Sequence, residues 1–245
     1  MTTKELVAEM PRHLILVDDG ASANVVMSHH STVAAGTLTN LVMEIKIGKN
    51  ARLHLDNIQA KEEADFLLTN INACQADDSF FHINTITESG GWVRNDLNIK
   101  VGGKNCETHL FGTYLLRNSQ HVDNHTVVDH LEPHCMSNEK YKGILYDKST
   151  GVFNGKVFVR QDAQKTNAFQ QNANILMSDD ATMNSKPELE IYADDVKCSH
   201  GSTTGQFDEE AIFYLKARGL SDATARDMLV EAFVSDIREA VKYQL

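Results

Sequence analysis

The strongest constraint on the fold is a series of short apolar runs that occupies residues 13–193. In the clearest run, Leu97, Ile99 and Val101 alternate with polar residues, which is the two-residue period of a β-strand. The runs are separated by glycine, aspartate and asparagine at residues 18–20, 48–50, 90–91 and 102–103. No helical period interrupts the region, so the sequence predicts an all-β body.

The spacing of the runs leaves two all-β architectures open. Their centres lie roughly 10–18 residues apart, which is slightly long for a sandwich built from tight hairpins. A β-solenoid stacks its strands through short turns and accommodates irregular polar connections. The sequence shows no exact repeat, so periodicity alone favours neither the solenoid nor the β-sandwich.

The end of the chain changes character, because helix signals replace strand signals. Residues 208–210 place acidic side chains in a first helical turn, Gly219 can end that helix, and Ser221 can cap a second one. We therefore predict a β core over residues 1–204 and a helical subdomain over residues 205–245. An apolar stripe runs along one side of the second predicted helix. It consists of Ala225, Met228, Leu229, Ala232, Phe233 and Ile237. Such a stripe either packs on its own domain or docks another chain.

The composition argues against two classes of partner. The 245 residues include 34 acidic and 23 basic side chains, which gives a formal charge of -11. Such a surface repels nucleic-acid phosphates and anionic lipids, and no stretch is apolar and long enough to span a bilayer. The four cysteines lie far apart without a CxxC pair, as is typical of reduced thiols. We therefore expect a cytoplasmic protein that binds neither nucleic acid nor membrane.

Two motifs resemble functional sites but have simpler interpretations. Residues 151–157 read GVFNGKV, which differs from a phosphate loop in its glycine spacing and in its final valine. The segment continues into a strand at residues 156–159, and we reject it as a nucleotide site. Residues 121–135 are rich in histidine and aspartate, but in an extended chain His125 and Asp129 share one face and His130 lies on the other. We interpret them as a polar strand and turn.

The sequence around residue 200 is a stronger candidate for a metal site. In an extended chain, Cys198 and His200 are two residues apart and point to the same side. A thiolate and an imidazole are suitable ligands for iron. Two ligands do not complete a site, because iron–sulfur clusters usually take four protein ligands. Either the other ligands come from elsewhere, or this is a buried thiol beside a structural histidine.

Six segments in the second half of the chain carry a resemblance to a known family. They are DNHT (123–126), YKGI (141–144), GVFNGKV (151–157), AQKT (163–166), PELEIYADDVKCSHG (187–201) and FYLKARG (213–219). In this order they resemble the SufB/SufD family of iron–sulfur cluster assembly proteins, and the chain resembles its SufD branch. The SufB branch has a glutamate where this chain has Gly201, and its scaffold cysteine falls at or near Asn172.

The resemblance implies a fold and two partners. The fold would be an all-β core, a right-handed parallel β-helix, followed by C-terminal helices. A SufB-like subunit would pair through the β core, and a SufC-like ABC-type ATPase would dock on the C-terminal helices. The stripe residues expected at the ATPase contact are Met228, Leu229, Ala232 and Phe233.

The resemblance also implies what the site handles. A nascent iron–sulfur cluster, or iron, would be held transiently and shared with the SufB-like partner, with His200 and Cys198 on this side. The chain would be a non-catalytic scaffold. In isolation it could also form a homodimer. Family members usually carry an N-terminal helical domain before the β body, so the sequence is consistent with a C-terminal fragment.

Two other functions stay open at this point. A β-solenoid carbohydrate-active enzyme would need carboxylates that flank a groove, for which the Asp-Asp pairs at 179–180 and 194–195 are candidates. The chain could instead be an interaction module without a metal role.

Overall fold

The computed structural model describes residues 7–31 and 36–242, which form fifteen β-strands and two α-helices. The strands are β1 (Val7–Glu9), β2 (Arg12–Val17), β3 (Ser22–His30), β4 (Thr37–Ile47), β5 (Arg52–Ala60), β6 (Phe66–Gln75), β7 (Phe80–Ser89), β8 (Trp92–Val101), β9 (Glu107–Leu116), β10 (His121–His130), β11 (Met136–Leu145), β12 (Thr150–Val159), β13 (Asn167–Leu176), β14 (Thr182–Ile191) and β15 (Lys197–Gly205). The helices are α1 (Glu209–Lys216) and α2 (Asp222–Arg238). The predicted order of an all-β core followed by C-terminal helices is confirmed.

Successive strands alternate between two parallel sheets. The even-numbered strands from β4 to β14 form sheet A, and β1 and β2 both pair with β4 at its first edge. The odd-numbered strands from β3 to β15 form sheet B. Paired residues lie between 26 positions apart, as for Phe66 and Trp92, and 32 apart, as for Thr150 and Thr182. Each interval is one turn, so the chain is a parallel β-solenoid of about seven turns, and an antiparallel β-sandwich is excluded.

Rows of apolar side chains fill the interior between the two sheets. Because the pairing is in register, each inward side chain lies on the inward side chain one turn away. Leu53 of β5 lies beside Phe81 of β7. In the same way Ile83 of β7 lies beside Leu110 of β9, and all four side chains are at most 1% exposed. Burying a side chain of this size contributes roughly 1.5–3 kcal/mol, so these rows hold consecutive turns together.

Two buried tyrosines occupy space left by glycines on the neighbouring strand. In the register of β9 and β11, Gly112 pairs with Tyr141, and Tyr114 pairs with Gly143. A Cβ atom on Gly112 would lie 2.3 Å from Cε1 of Tyr141. A Cβ atom on Gly143 would lie 2.3 Å from Cε2 of Tyr114. Each ring therefore fills the volume that a side chain on the opposite strand would need.

Helix α2 packs on the outer face of sheet B. Val230 and Val234 contact Ile144 of β11, which faces away from the solenoid interior. Lys142 of the same strand extends to the helix, where its Nζ lies 2.8 Å from Asp236 Oδ1. The apolar contact and the ion pair fix the helix to the β core. In the described part of the chain, neither helix is both long and apolar enough to cross a membrane.

The stripe predicted on α2 is only partly buried. Ile237 is buried, but Met228 and Ala232 are exposed. Val230 and Val234, which the stripe did not include, pack on the sheet, and Phe233 of the stripe packs partly against them. With 3.6 residues per turn, these two valines lie on a different side of the helix from Met228. Helix α2 therefore presents one apolar side to sheet B and a second to solvent.

The packing of Tyr114 against Gly143 predicts that this glycine does not tolerate a larger side chain. Gly143→Ala should destabilise the protein by about 1–3 kcal/mol, because the new methyl group overlaps the Tyr114 ring. The midpoint of urea unfolding measures this change. Gly205→Ala is the control, because a Cβ atom there has no neighbour within 4 Å. Equal unfolding midpoints for the two variants would contradict the packing described for Tyr114.

Candidate functional site

The C-terminal end of the solenoid presents two open sheet edges. Strand β14 is the last strand of sheet A, and β15 is the last strand of sheet B. They contain 10 and 9 residues. In residues 7–31 and 36–242, no further strand pairs with either of them. Their outward backbone N–H and C=O groups are therefore available to another chain.

Strand β15 places Cys198 and His200 at this open end. Cys198 is half-buried and packs against the interior core, so its face of the strand points inward. His200 lies on the same face two residues later but is exposed, because no further turn covers it. The structure thus brings the two predicted residues together on one face of an edge strand.

Within the described residues, Cys198 and His200 do not complete a metal site. Among the described residues, no group of three or more His, Cys, Asp or Glu side chains could hold a metal ion. Burial raises the pKa of the Cys198 thiol above its usual value. The neutral thiol therefore dominates at neutral pH, and an added positive charge is needed to make this residue a thiolate ligand.

On the neighbouring strands, the inward-facing register partners of His200 are two polar residues that the sequence analysis did not identify. We call this series of partners the inward row. His200 pairs with Gln170 of β13, and Gln170 pairs with Glu139 of β11. Thr126 Oγ1 donates to Glu139 Oε1 at 2.5 Å, and Gln170 Nε2 donates to Glu139 Oε2 at 2.7 Å. Burial raises the pKa of Glu139 to about 7, although both hydrogen bonds favour the carboxylate. Polar residues at inward positions of the strand alternation were the available signal.

A second polar group in the interior extends to β15 through Asn172. Its Oδ1 accepts a hydrogen bond from Ser185 Oγ of β14 at 2.8 Å. Ser185 in turn accepts one from Ser202 Oγ of β15 at 2.7 Å. Asn172 is the residue expected at or near the scaffold cysteine of the SufB branch. In this chain the position carries an amide that links the two sheets at the last turn.

The other motifs do not form sites. Residues 151–157 lie inside strand β12 and not in a loop, so the strand begins six residues earlier than residue 156. His125 lies on the outer face of β10 and pairs with Asp123 at 2.8 Å. His130 points inward, where its Nε2 lies 2.9 Å from Ser137 Oγ. The histidine-rich segment is therefore divided between the two faces of one strand.

The carboxylates considered for a carbohydrate-active enzyme lie too far apart. Residues 179–180 precede strand β14, and residues 194–195 follow it. At about 3.3 Å per residue, the ten residues of β14 separate the two pairs by about 30 Å. Glycosidase carboxylates lie roughly 5–9.5 Å apart. This arrangement does not support a glycosidase site.

Of the residues predicted to contact an ATPase, Met228 and Ala232 lie on the solvent side of α2. Met228 is 49% exposed and Ala232 is also exposed, whereas Leu229 and Phe233 are half-buried. Phe233 is partly engaged, because it packs beside the contact of α2 with sheet B. Helix α1 adds two exposed aromatic side chains that the sequence analysis did not single out, Phe213 and Tyr214.

Comparison with known proteins gives a consistent result. Residues 1–233 match the sequence model of the family described as SUF system FeS cluster assembly, SufBD core domain. The chain is 32% identical over 231 residues to the iron–sulfur cluster assembly protein SufD of Escherichia coli, covering 94% of this chain and 55% of that protein. It is 32% identical over 240 residues to a SufBD family protein of Synechocystis, with coverages of 94% and 53%. The chain spans about half the length of the curated relatives it matches.

Buried Glu139 predicts a pH-dependent stability. The folded protein keeps the Glu139 proton up to about pH 7, whereas the unfolded chain releases it near its usual value of 4.5. Folding therefore binds a proton between these values, and the free energy of unfolding falls as pH rises through that window. The loss is about 3 kcal/mol by pH 8. Glu139→Gln, which carries no charge, should remove most of this loss.

Urea unfolding at about pH 5 and about pH 8 measures the effect. Glu44→Gln is the matched control, because it makes the same change at an exposed position of β4. The control should show the same pH dependence as the unmodified protein. If Glu139→Gln also shows it, the Glu139 carboxyl is not the group that titrates.

Proposed function

The chain belongs to the SufBD core family of iron–sulfur cluster assembly proteins, and we propose that it works there as a SufD-like scaffold subunit. In this role it pairs with a SufB-like subunit and docks a SufC-like ABC-type ATPase. The nascent iron–sulfur cluster is what the complex builds, and ATP hydrolysis belongs to the ATPase. The relative named SufD, which matches 94% of this chain, supports the SufD-like assignment.

The observation that carries this proposal is a half-complete ligand set on an open edge. Cys198 and His200 share one face of β15, and no third ligand lies with them in the described residues. An iron–sulfur cluster needs about four protein ligands. A SufB-like subunit seated against this end would bring the remaining ligands. The nascent cluster would then form at the joint between the two chains.

The same end offers a means of pairing. Strands β14 and β15 expose unpaired backbone groups, and such edges are completed by strands of another chain. Ile191 is 42% exposed and Tyr192 is 55% exposed where β14 ends. Apolar contacts there would add to the backbone hydrogen bonds. A second copy of this chain could use the same edges when the SufB-like subunit is absent.

The C-terminal helices provide the surface for the ATPase. Val230 and Val234 fix α2 to sheet B, so the opposite side of the helix is held in place. The residues proposed to contact the ATPase are Met228, Leu229, Ala232 and Phe233. Removing residues 205–245 would uncover Ile144 of the β core, so point substitutions test docking better than truncation does.

We place the complex in the cytoplasm. The four cysteines are free thiols in the described residues, which fits a reducing compartment. The formal charge of -11 fits a protein that acts on other proteins and not on nucleic acid or anionic lipid.

The role of His200 is tested by substitution in the reconstituted complex. His200→Ala should leave the fold and the complex intact and reduce cluster formation at least about tenfold, because a ligand is lost. His200→Asn should fail equally, since it keeps a polar side chain but lacks the imidazole. Anaerobic co-expression with SufB- and SufC-like partners, followed by iron and sulfide analysis, measures the outcome.

His13→Ala is the matched control for this experiment. His13 is also an exposed histidine on an edge strand, but it lies on β2 at the opposite end of the solenoid. Its loss should leave cluster formation unchanged. Normal assembly by His200→Ala would remove His200 from the site, and restoration by Asn would make its role hydrogen bonding alone.

Docking of the ATPase is tested at Met228. Met228→Ser should weaken ATPase binding at least tenfold, because an exposed apolar anchor is worth roughly 1.5–3 kcal/mol when it is buried. Leu14→Ser, at a 62% exposed residue of β2, is the control and should bind normally. Calorimetric titration with the purified ATPase measures the affinity. Unchanged affinity for Met228→Ser would place the docking surface elsewhere.

A further inference from the structure

The inward row that ends at His200 has a defined geometry. Glu139, Gln170 and His200 are consecutive register partners on β11, β13 and β15. Neighbouring strands lie about 4.8 Å apart, and register partners point to the same face. The side chain beside His200 is therefore Gln170, and the one beyond it is Glu139.

The amide of Gln170 is held in one orientation. Its Nε2 donates to Glu139 Oε2 at 2.7 Å, and Glu139 is itself held through Thr126 at 2.5 Å. The space for this amide comes from Gly155 of β12, because a Cβ atom there would lie 2.4 Å from Gln170 Nε2. One N–H of the amide is engaged by Glu139, which leaves its second N–H and its oxygen for other partners.

That oxygen has no partner within the described residues. Gln170 is 3% exposed, and its Oε1 accepts no hydrogen bond there. A buried acceptor left unpaired costs roughly 1–3 kcal/mol. The next side chain in the row is His200, whose imidazole carries an N–H group at one of its two ring nitrogens. His200 is the register partner of Gln170 on the open side of the row, and its ring has an N–H group that can donate to the carbonyl.

Building on the proposed function, we propose that Gln170 is a positioning residue for His200. Its Oε1 accepts the ring N–H of His200 and so fixes which nitrogen carries the proton. The lone pair of the other nitrogen is then directed to the open end, where the cluster would form. A histidine that binds a metal through one ring nitrogen commonly donates the N–H of its other ring nitrogen to a carbonyl or carboxylate in this way. Glu139 acts one step further back, because it holds the amide.

Few other side chains adjoin Gln170 and His200 in the register. Cys198 pairs with Ala168, and Ser202 pairs with Asn172, so neither lies between Gln170 and His200 in the register. Asn172 Oδ1 already accepts from Ser185, and Ser202 donates to Ser185. The polar residues on the Ser202 side of the row thus have partners of their own.

The test is Gln170→Met, which keeps the length of the side chain and removes the amide. The ring ¹⁵N shifts of His200 report its tautomer, and its signals are assigned by their absence in His200→Ala. At about pH 8, where an ordinary imidazole is neutral, the unmodified chain should show one dominant tautomer. Gln170→Met should show a mixture of both. Cluster formation in the complex with SufB- and SufC-like partners should fall about 10–100-fold.

Gln171→Met is the matched control, because Gln171 is the next residue of β13 and is exposed on its outer face. It should change neither the tautomer nor cluster formation. Gln170→Asn is the second variant in case methionine disrupts folding. It keeps a buried amide but shortens it by one carbon, so it should also give mixed tautomers.

The outcomes separate this inference from the proposed function. Unchanged ¹⁵N shifts in a folded Gln170→Met or Gln170→Asn variant would overturn the positioning role, even where His200→Ala still abolishes cluster formation. Normal assembly by His200→Ala would instead overturn the ligand role. The ¹⁵N shifts of the unmodified chain and its Gln170 variants would then still decide whether Gln170 orients the ring.

Discussion

The structure depends on the in-register pairing of each turn with the next. Because paired residues lie 26–32 positions apart and side by side, the surroundings of an inward side chain are set mainly by the turns before and after it. This pairing builds the interior rows and supports the surface on which α2 packs. It also determines where the site lies, since a row can meet a second protein only where it ends. His200 is the last residue of such a row.

The sequence predicted the elements better than their arrangement. Alternation at Leu97, Ile99 and Val101 indicates a strand, but it contains no information about which strand lies beside it. Periodicity therefore does not distinguish a solenoid from a sandwich, and only the family resemblance favours a β-helix. Cys198 and His200 were found because both are ligand types on one strand. Gln170 was missed because its importance comes from residues 30 positions away in the sequence. The packed side of α2 was missed because it depends on Ile144, which faces outward on a distant strand.

The interior changes in chemical character along the row that leads to the candidate site. Its last five members, in order, are Ile83, Leu110, Glu139, Gln170 and His200. The first two are aliphatic, and the third is a carboxyl group whose pKa burial raises to about 7. A solenoid stabilised only by apolar packing would continue the aliphatic series to its end. The polar members weaken that packing, and they place proton-holding and hydrogen-bonding groups beside the open edge.

The crossed tyrosines and glycines of β9 and β11 have a consequence for how related sequences can diverge. Tyr114 requires a glycine on the following turn, and Tyr141 requires one on the preceding turn. A larger residue at Gly143 becomes acceptable only after Tyr114 has been replaced by something smaller, and the same holds for Gly112 with Tyr141. Evolution at these four positions is therefore coupled in pairs that lie 29 residues apart in the sequence. Relatives should gain or lose each ring together with its glycine.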